Sequence, residues 1–163
     1  MVTKLVKDSA AALDAGVIPD WISAHLQAYR ASGGTAGHYW DSTSVGGNGV
    51  QTCLLLTTRG RRSGRTYTHP LLYAKDGERF VIVGSKGGSD AHPAWYHNLL
   101  AHPDVELQVG PEIFKARATL ATGDERARLW ALITAIFPPY LDYQARTARE
   151  IPLFSLARSG TSE

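Results

Sequence analysis

Between Thr57 and Pro70 the chain reads TTRGRRSGRTYTHP, which places Arg59, Arg61, Arg62 and Arg65 within seven residues and no acid among them. Guanidinium forks, a hydroxyl and backbone N–H groups are what hold phosphate or carboxylate. The apolar run Cys53-Leu54-Leu55-Leu56 enters this stretch, Ser63 adds the hydroxyl, and Gly60 and Gly64 are expected to turn the backbone with positive φ and let a ligand approach closely. The bland alternative is a solvated basic turn without a partner. A second cluster follows one strand later, Gly84-Ser85-Lys86-Gly87-Gly88, ahead of a helix expected to start at Pro93. Small residues there give a flat ring room to lie on the backbone, Ser85 offers a hydroxyl, Lys86 a point charge, and the helix behind them free N–H groups. Adjacent strands would set both clusters along one edge of the fold, as a groove for an elongated anion with a planar head.

The elements that must position these clusters are legible in outline. Strands are expected over Val50–Thr58, Thr66–Ala74, Arg79–Gly84, Val105–Val109, Ile113–Leu120 and Ile151–Leu156, with Asp76-Gly77 and Gly110-Pro111-Glu112 as hairpin turns. Residues 20–32 carry an i, i+4, i+7 face (Trp21, Ile22, Leu26, Tyr29) and read as an amphipathic helix that either packs on the body or lies on a membrane surface. Residues 33–49 read as loop. The segment from Pro93 pairs Trp95 with Leu99 and Tyr96 with Leu100. Thr122-x-x-Glu125 reads as a capping box for a helix to Phe137, with Trp130, Ile133 and Phe137 as its inner stripe. Pro138-Pro139 stops it, and a short helix runs from Tyr140 to about Arg149. Six mostly antiparallel strands with inserted and flanking helices give an α+β fold, a small split β-barrel. The domain plan is a variable helix and loop over 1–49, a barrel over 50–157 and a tail over 158–163.

Composition narrows the function. Of 163 residues 44% are apolar, and 17 Lys+Arg against 15 Asp+Glu leave a net charge of +2, so positive charge is dense only locally and a nucleic-acid coat is not expected. The single cysteine, Cys53, sits inside an apolar run and reads as a core residue of a reducing compartment. The N-terminal stretch interleaves Lys4, Lys7 and Asp8 and has no apolar targeting core, which makes the expected location cytoplasmic, with membrane association through helix 20–32 as the variant. His92 and His97 are five apart, and His69 and His102 lack acids at ligand spacing, so no metal is expected. Nucleophile-elbow, phosphate-loop and dinucleotide motifs do not occur.

LLLTTRGRRSGRTYTHPLLY, IVGSKGGSDAHPAWYHNLLAHPDVELQVG and PPYLDYQARTAREIPLF, in this order, resemble the deazaflavin (coenzyme F420)-dependent nitroreductase family of actinobacteria. The resemblance covers residues 50 to about 157. It implies a split barrel that binds F420 and, with the cofactor reduced, delivers hydride to a conjugated small-molecule acceptor: a quinone, an enone or a nitroaromatic. It places Arg61, Arg62, Ser63, Gly64 and Tyr67 on the phosphate and anionic tail. Gly84, Ser85, Lys86, Gly87, Trp95, Tyr96 and Asn98 fall around the deazaflavin ring. Ser85, Tyr140 and Tyr143 become the catalytic candidates, with Phe137 and Tyr140 on the substrate side. Two positions depart from the family pattern. Phe137 stands where prodrug-reducing members carry tyrosine, and Tyr67 where relatives often carry a basic residue. The alternatives are an FMN-dependent barrel and a non-catalytic module that stores F420 or binds a fatty acid. Sequence leaves monomer and homodimer both open.

Overall fold

The computed structural model describes residues 2–159. Its elements are α1 (Lys4–Asp14), α2 (Asp20–Ala31), β1 (Tyr39–Asp41), β2 (Val50–Arg59), β3 (Thr66–Leu72), β4 (Ala74–Asp76), β5 (Arg79–Val83), α3 (Ala94–Ala101), β6 (Asp104–Val109), β7 (Glu112–Leu120), α4 (Gly123–Ile136), α5 (Pro139–Ala145) and β8 (Leu153–Arg158). Short 3₁₀ turns cover Thr43–Val45 and Lys86–Gly88. The last expected stretch, 158–163, lies outside the described residues from position 160 onward.

Every ladder is antiparallel. β3 pairs with β2 and β4 with β5, while β5 pairs with β8, β8 with β7, β7 with β6, and β6 with β2. Because β3 and β4 are consecutive, the circuit closes through Tyr73, and among the described residues no ladder joins β3 to β5. The split of this α+β barrel is that seam. The strand expected over Thr66–Ala74 therefore breaks at Tyr73, where the chain leaves β2 for β5.

Alternation along the strands divides most of the apolar residues between two large cores, with a third, smaller cluster of Tyr29, Cys53 and Leu55 where α2 packs on β2. Leu54, Leu56, Phe80, Ile82, Leu107, Phe154 and Leu156 fill the barrel interior together with Trp95 and Leu99 of α3. Val81, Val83 and Leu153 face the other way and pack against Leu129, Ile133, Phe137, Tyr140 and Tyr143 of the α4–α5 region. The inner stripe of α4 is thus Leu129 and Ile133 leading to Phe137 at the C-cap; Trp130 is half-buried beneath the Arg126 guanidinium, 4.9 Å from its ring. The expected capping box does not form: Thr122 makes no side-chain cap bond and the Glu125 carboxylate is held by Arg128 at 2.8 Å. Leu100 is exposed rather than packed in a pair with Tyr96, and Pro93 is the N-cap of α3, not its first residue.

The first 49 residues hold more structure than expected. Helix α1, capped by Thr3 Oγ1 accepting from Val6 N, buries Val6, Ser9 and Ala10, with Leu5 packed partly buried against the same core. Helix α2 packs on the barrel through Tyr29, whose hydroxyl donates to Cys53 O at 2.9 Å and accepts from Gly110 N at 2.8 Å. The three-residue β1 extends β2 inside the segment expected as loop. Cys53 is buried, and burial pushes its thiol up to about 12. Among the described residues no helix is long and apolar enough to cross a membrane.

Candidate functional site

The arginine stretch is a built loop between β2 and β3. Gly60 N donates to Arg65 O at 2.7 Å and Gly64 N to Gly60 O at 3.0 Å, with Gly64 at φ +73. Gly60 does not have the expected positive φ. Its missing side chain serves close approach instead, since a Cβ there would stand 2.8 Å from Ser63 Oγ and from the Tyr67 ring. Asn98, buried on α3, pins the loop from below: its Oδ1 accepts from Arg61 N at 3.1 Å and its Nδ2 donates to Thr58 Oγ1 at 3.2 Å. Ser63 Oγ accepts from Arg65 N and shares a hydrogen bond with Tyr67 OH. All of this leaves the guanidiniums outside. Arg59, Arg61, Arg62 and Arg65 are exposed and none pairs with a carboxylate among the described residues, whereas Arg117, Arg126, Arg128 and Arg158 each do. Four like charges held together without counter-charge form a standing anion site.

The Ser85–Gly88 segment is fixed from two sides. Arg149, from the stretch after α5, donates to the carbonyls of Gly84 (3.1 Å), Ser85 (2.8 Å) and Ser89 (2.7 Å) and meets His92 Nδ1 at 3.0 Å. Arg146 donates to Gly87 O at 2.9 Å. From the other side comes Asp14, whose Oδ1 lies 2.5 Å from Lys86 Nζ and whose carboxylate accepts from Ser89 Oγ. Lys86 is thereby paired and not the free point charge its sequence context suggests. Gly87 is small because α1 crosses it, a Cβ there falling 2.6 Å from Val6 Cγ1.

Both clusters open onto one cavity of about 710 Å³ at the barrel seam. Of the residues expected in the site, Arg61, Arg62, Ser63, Tyr67, Ser85, Lys86, Trp95, Asn98 and Tyr140 border it. Gly64, Gly84, Gly87, Tyr96, Phe137 and Tyr143 are not part of that lining. Tyr96 stacks on His92 at 4.0 Å; Phe137 is buried with its ring 4.8 Å from that of Tyr140; Tyr143 OH reaches Val45 O at 3.5 Å, and burial raises that phenol to about 12. Two bordering hydroxyls, Ser85 Oγ and Tyr140 OH, have no hydrogen-bond partner among the described residues. Burial, with the Tyr143 phenol a lesser cause, pushes the Tyr140 pKa well above the ordinary tyrosine value.

Sequence reasoning missed three single residues and one wall of the cavity. Arg149 and Asp14 had no local signal, since their targets are distant in the chain. His69 sits opposite Leu56 in the β2–β3 ladder, on the inward face of β3 with Leu71, and borders the cavity; burial lowers it to about 4, so it is neutral at pH 7. The far wall is aromatic and apolar, built by Trp21, Ile22 and His25 of α2 and by Trp40, whose ring stacks on Trp21 at 5.9 Å. The amphipathic face of 20–32 was the available clue.

Comparison with known proteins is consistent across sequence and structure. Residues 21–158 match the family described as F420H(2)-dependent quinone reductase. An F420H(2)-dependent quinone reductase of Mycobacterium tuberculosis is 39% identical over 137 residues, which is 82% of this chain and 87% of the relative. A solved F420-H2 dependent reductase (FDR-A) superposes with TM-score 0.60 at 37% identity, covering 64% of this chain and 92% of its own. A second solved chain, described as a domain-swapped dimer, gives TM-score 0.62 at 31% identity over 84% of this chain and 97% of its own. The heme storage protein HutZ from Vibrio cholerae shares the fold at TM-score 0.51 and 16% identity, covering 66% of this chain and 82% of its own.

Proposed function

Because the chain belongs to the F420H(2)-dependent quinone reductase family, we propose that its seam cavity seats reduced F420 and a quinone-type acceptor together, with the arginine loop on the cofactor's anionic tail. It is an oxidoreductase, and reduced F420 supplies the hydride. The observation that carries the site assignment is that Arg61 and Arg62, neither paired with a carboxylate among the described residues, border the same cavity as the unpartnered Ser85 and Tyr140 hydroxyls. A phosphodiester with an oligoglutamate tail is a string of carboxylates and phosphate, which forked donors match. The cavity volume falls in the usual range for small-molecule sites, about 300–1,000 Å³. Trp95 and Val83 offer one apolar flank for a flat ring; Trp21 and Trp40 offer the other.

The residues bind and orient more than they react. Arg61 and Arg62 hold the tail, and Asn98 keeps the Arg61 backbone in place. Tyr140 donates a hydrogen bond to the acceptor oxygen on which negative charge grows as hydride arrives. A phenol whose pKa is raised is a poor proton donor but a dependable neutral hydrogen-bond donor, so the final proton comes from water. The exposed turn Val17-Ile18, with Ile18 at the cavity rim, gives an apolar acceptor its way in. Oligomeric state does not enter this assignment, because all of these groups come from one chain.

Titration of the apoprotein, followed by fluorescence of Trp21, Trp40 and Trp95, tests the assignment. F420 is expected to bind at about micromolar affinity or better and FMN at least about tenfold more weakly, since FMN's single phosphate leaves most of the loop unused. Replacing both arginines, Arg61→Ala with Arg62→Ala, is expected to cost F420 about 2–4 kcal/mol, from hydrogen bonds to charged groups worth about 1.5–3 kcal/mol each. Equal or tighter FMN binding, or an unchanged double variant, would overturn it.

A further inference from the structure

The cavity has two basic ends, and they differ in one respect. At the loop the guanidiniums are exposed and none has a carboxylate partner among the described residues. At the other end Lys86 has a side chain only 8% exposed, with Nζ 2.5 Å from Asp14 Oδ1 and donating to His92 O at 3.3 Å. Asp14 is the last residue of α1, a helix that lies outside residues 21–158 matched by the family. The pairing is therefore contributed by a segment the family match does not include.

The way α1 is seated makes this contact specific. Val6 occupies the notch left by Gly87, Trp21 Nε1 donates to Ser9 Oγ at 2.9 Å, and Ser89 Oγ donates to both oxygens of the Asp14 carboxylate at 2.9 and 2.8 Å. Lys86 itself is held at φ +43, the one non-glycine residue with positive φ among the described residues. Side chains adopt that region at a cost, which persists only where the surroundings over-determine it. Here the determinants are the Asp14 ion pair on the side chain and the Arg149 bonds to the flanking carbonyls.

From this arrangement we infer that Asp14 is a specificity-determining residue: it neutralises Lys86, and with the Arg146 and Arg149 guanidiniums engaged by the carbonyls of Gly84, Ser85, Gly87 and Ser89, the Ser85–Lys86 end of the cavity attracts an anion less than the arginine loop does. A ligand is then sorted by charge along its length, neutral at the platform and anionic at the loop. The inference rests on the cofactor assignment of the cavity, and it adds that α1 sets the electrostatics of the site from outside the barrel. Asp14 also sets a negative charge 2.5 Å from the ammonium of Lys86, which borders the cavity, so it weakens anion binding at that end. Removing its charge is expected to tighten the cofactor rather than loosen it, which is the opposite of what loss of a merely structural brace would do.

Asp14→Asn is the variant of choice. It keeps an oxygen to accept from Ser89 and sits at a half-exposed helix end, so folding is retained. F420 is expected to bind about tenfold more tightly to Asp14→Asn than to the natural chain, the worth of one freed hydrogen bond from a charged donor. The gain is expected to vanish when Asp14→Asn is combined with Lys86→Gln, as a double-variant cycle requires for two residues acting through each other. A second readout uses no cofactor: acylation of lysines, read by mass spectrometry, is expected to find Lys86 protected in the natural chain and reactive in Asp14→Asn. Unchanged or weaker F420 binding by Asp14→Asn, or equal Lys86 reactivity in the two proteins, overturns the inference. Failure of the natural chain to bind F420 counts against the cofactor assignment instead, and the acylation comparison then decides the role of Asp14 alone.

Discussion

Tyr140 and Phe137 are three residues apart and in ring contact, yet only Tyr140 reaches the cavity. The two positions therefore separate a chemical role from a packing role. Tyr140→Phe removes the free phenol and is expected to lower kcat/KM for quinones about ten- to a hundredfold, less than the best oxyanion donors contribute, while F420 affinity stays within about twofold. The activity is expected to show no ionisation of this group below pH 9, because its pKa is raised. Phe137→Tyr places a hydroxyl among the buried rings of Tyr140 and Tyr143, where an unpaired hydroxyl costs about 1–3 kcal/mol. Denaturant midpoint and nitroaromatic turnover check this together: the midpoint is expected to fall and the turnover to stay flat. A rise in nitroaromatic turnover would instead bring position 137 into contact with the acceptor.

Between α5 and β8 the chain contributes no regular element, but its Arg149 holds the loop after β5 at three carbonyls. One guanidinium can do this because its donors radiate in a plane, which an ammonium cannot reproduce. Arg149→Ala leaves those carbonyls short of partners and is expected to cost about 2–4 kcal/mol of stability. Hydrogen exchange locates the effect: amides from Gly84 to His92 are expected to exchange faster while the β6–β7 ladder keeps its protection. Arg149→Lys is expected to recover little of either. Uniform acceleration across the barrel would show that Arg149 supports global stability and not the loop.

At the scale of the molecule, the groups buried around the cavity make stability depend on pH. Burial holds His69 near 4, and burial with neighbouring positive charges lowers His92 and His97. Each binds its proton more readily in the unfolded chain, so as pH falls the unfolded state gains protons first and stability is lost. The His69 contribution is full above its unfolded value of about 6.5 and declines as pH falls towards 4, by about 2 kcal/mol at pH 5. Asp14 and Asp76, held below the ordinary carboxylate range, act in the same direction at lower pH. Urea unfolding at pH 7 and pH 5 is expected to show this fall, and His69→Gln to remove about 2 kcal/mol of it. An equal fall in His69→Gln would place the acid sensitivity elsewhere.

What the sequence determined by itself is local. Alternation and turn residues marked the strands β2, β3, β5, β6, β7 and β8 because period and turn chemistry are properties of neighbouring residues. The arginine loop was visible because its charges are consecutive, and the family resemblance because its three segments keep their order. The tertiary structure alone decided what distant residues do to one another. Barrel closure splits the strand at Tyr73 and turns His69 inward; α1 brings Asp14 to Lys86; the stretch after α5 brings Arg149 to Gly84, Ser85 and Ser89. No periodicity encodes such pairings, since a charge or donor has the same local pattern whether it meets solvent or a partner. A free lysine and a neutralised one read alike as letters, and the fold distinguishes them by placing a carboxylate 2.5 Å away.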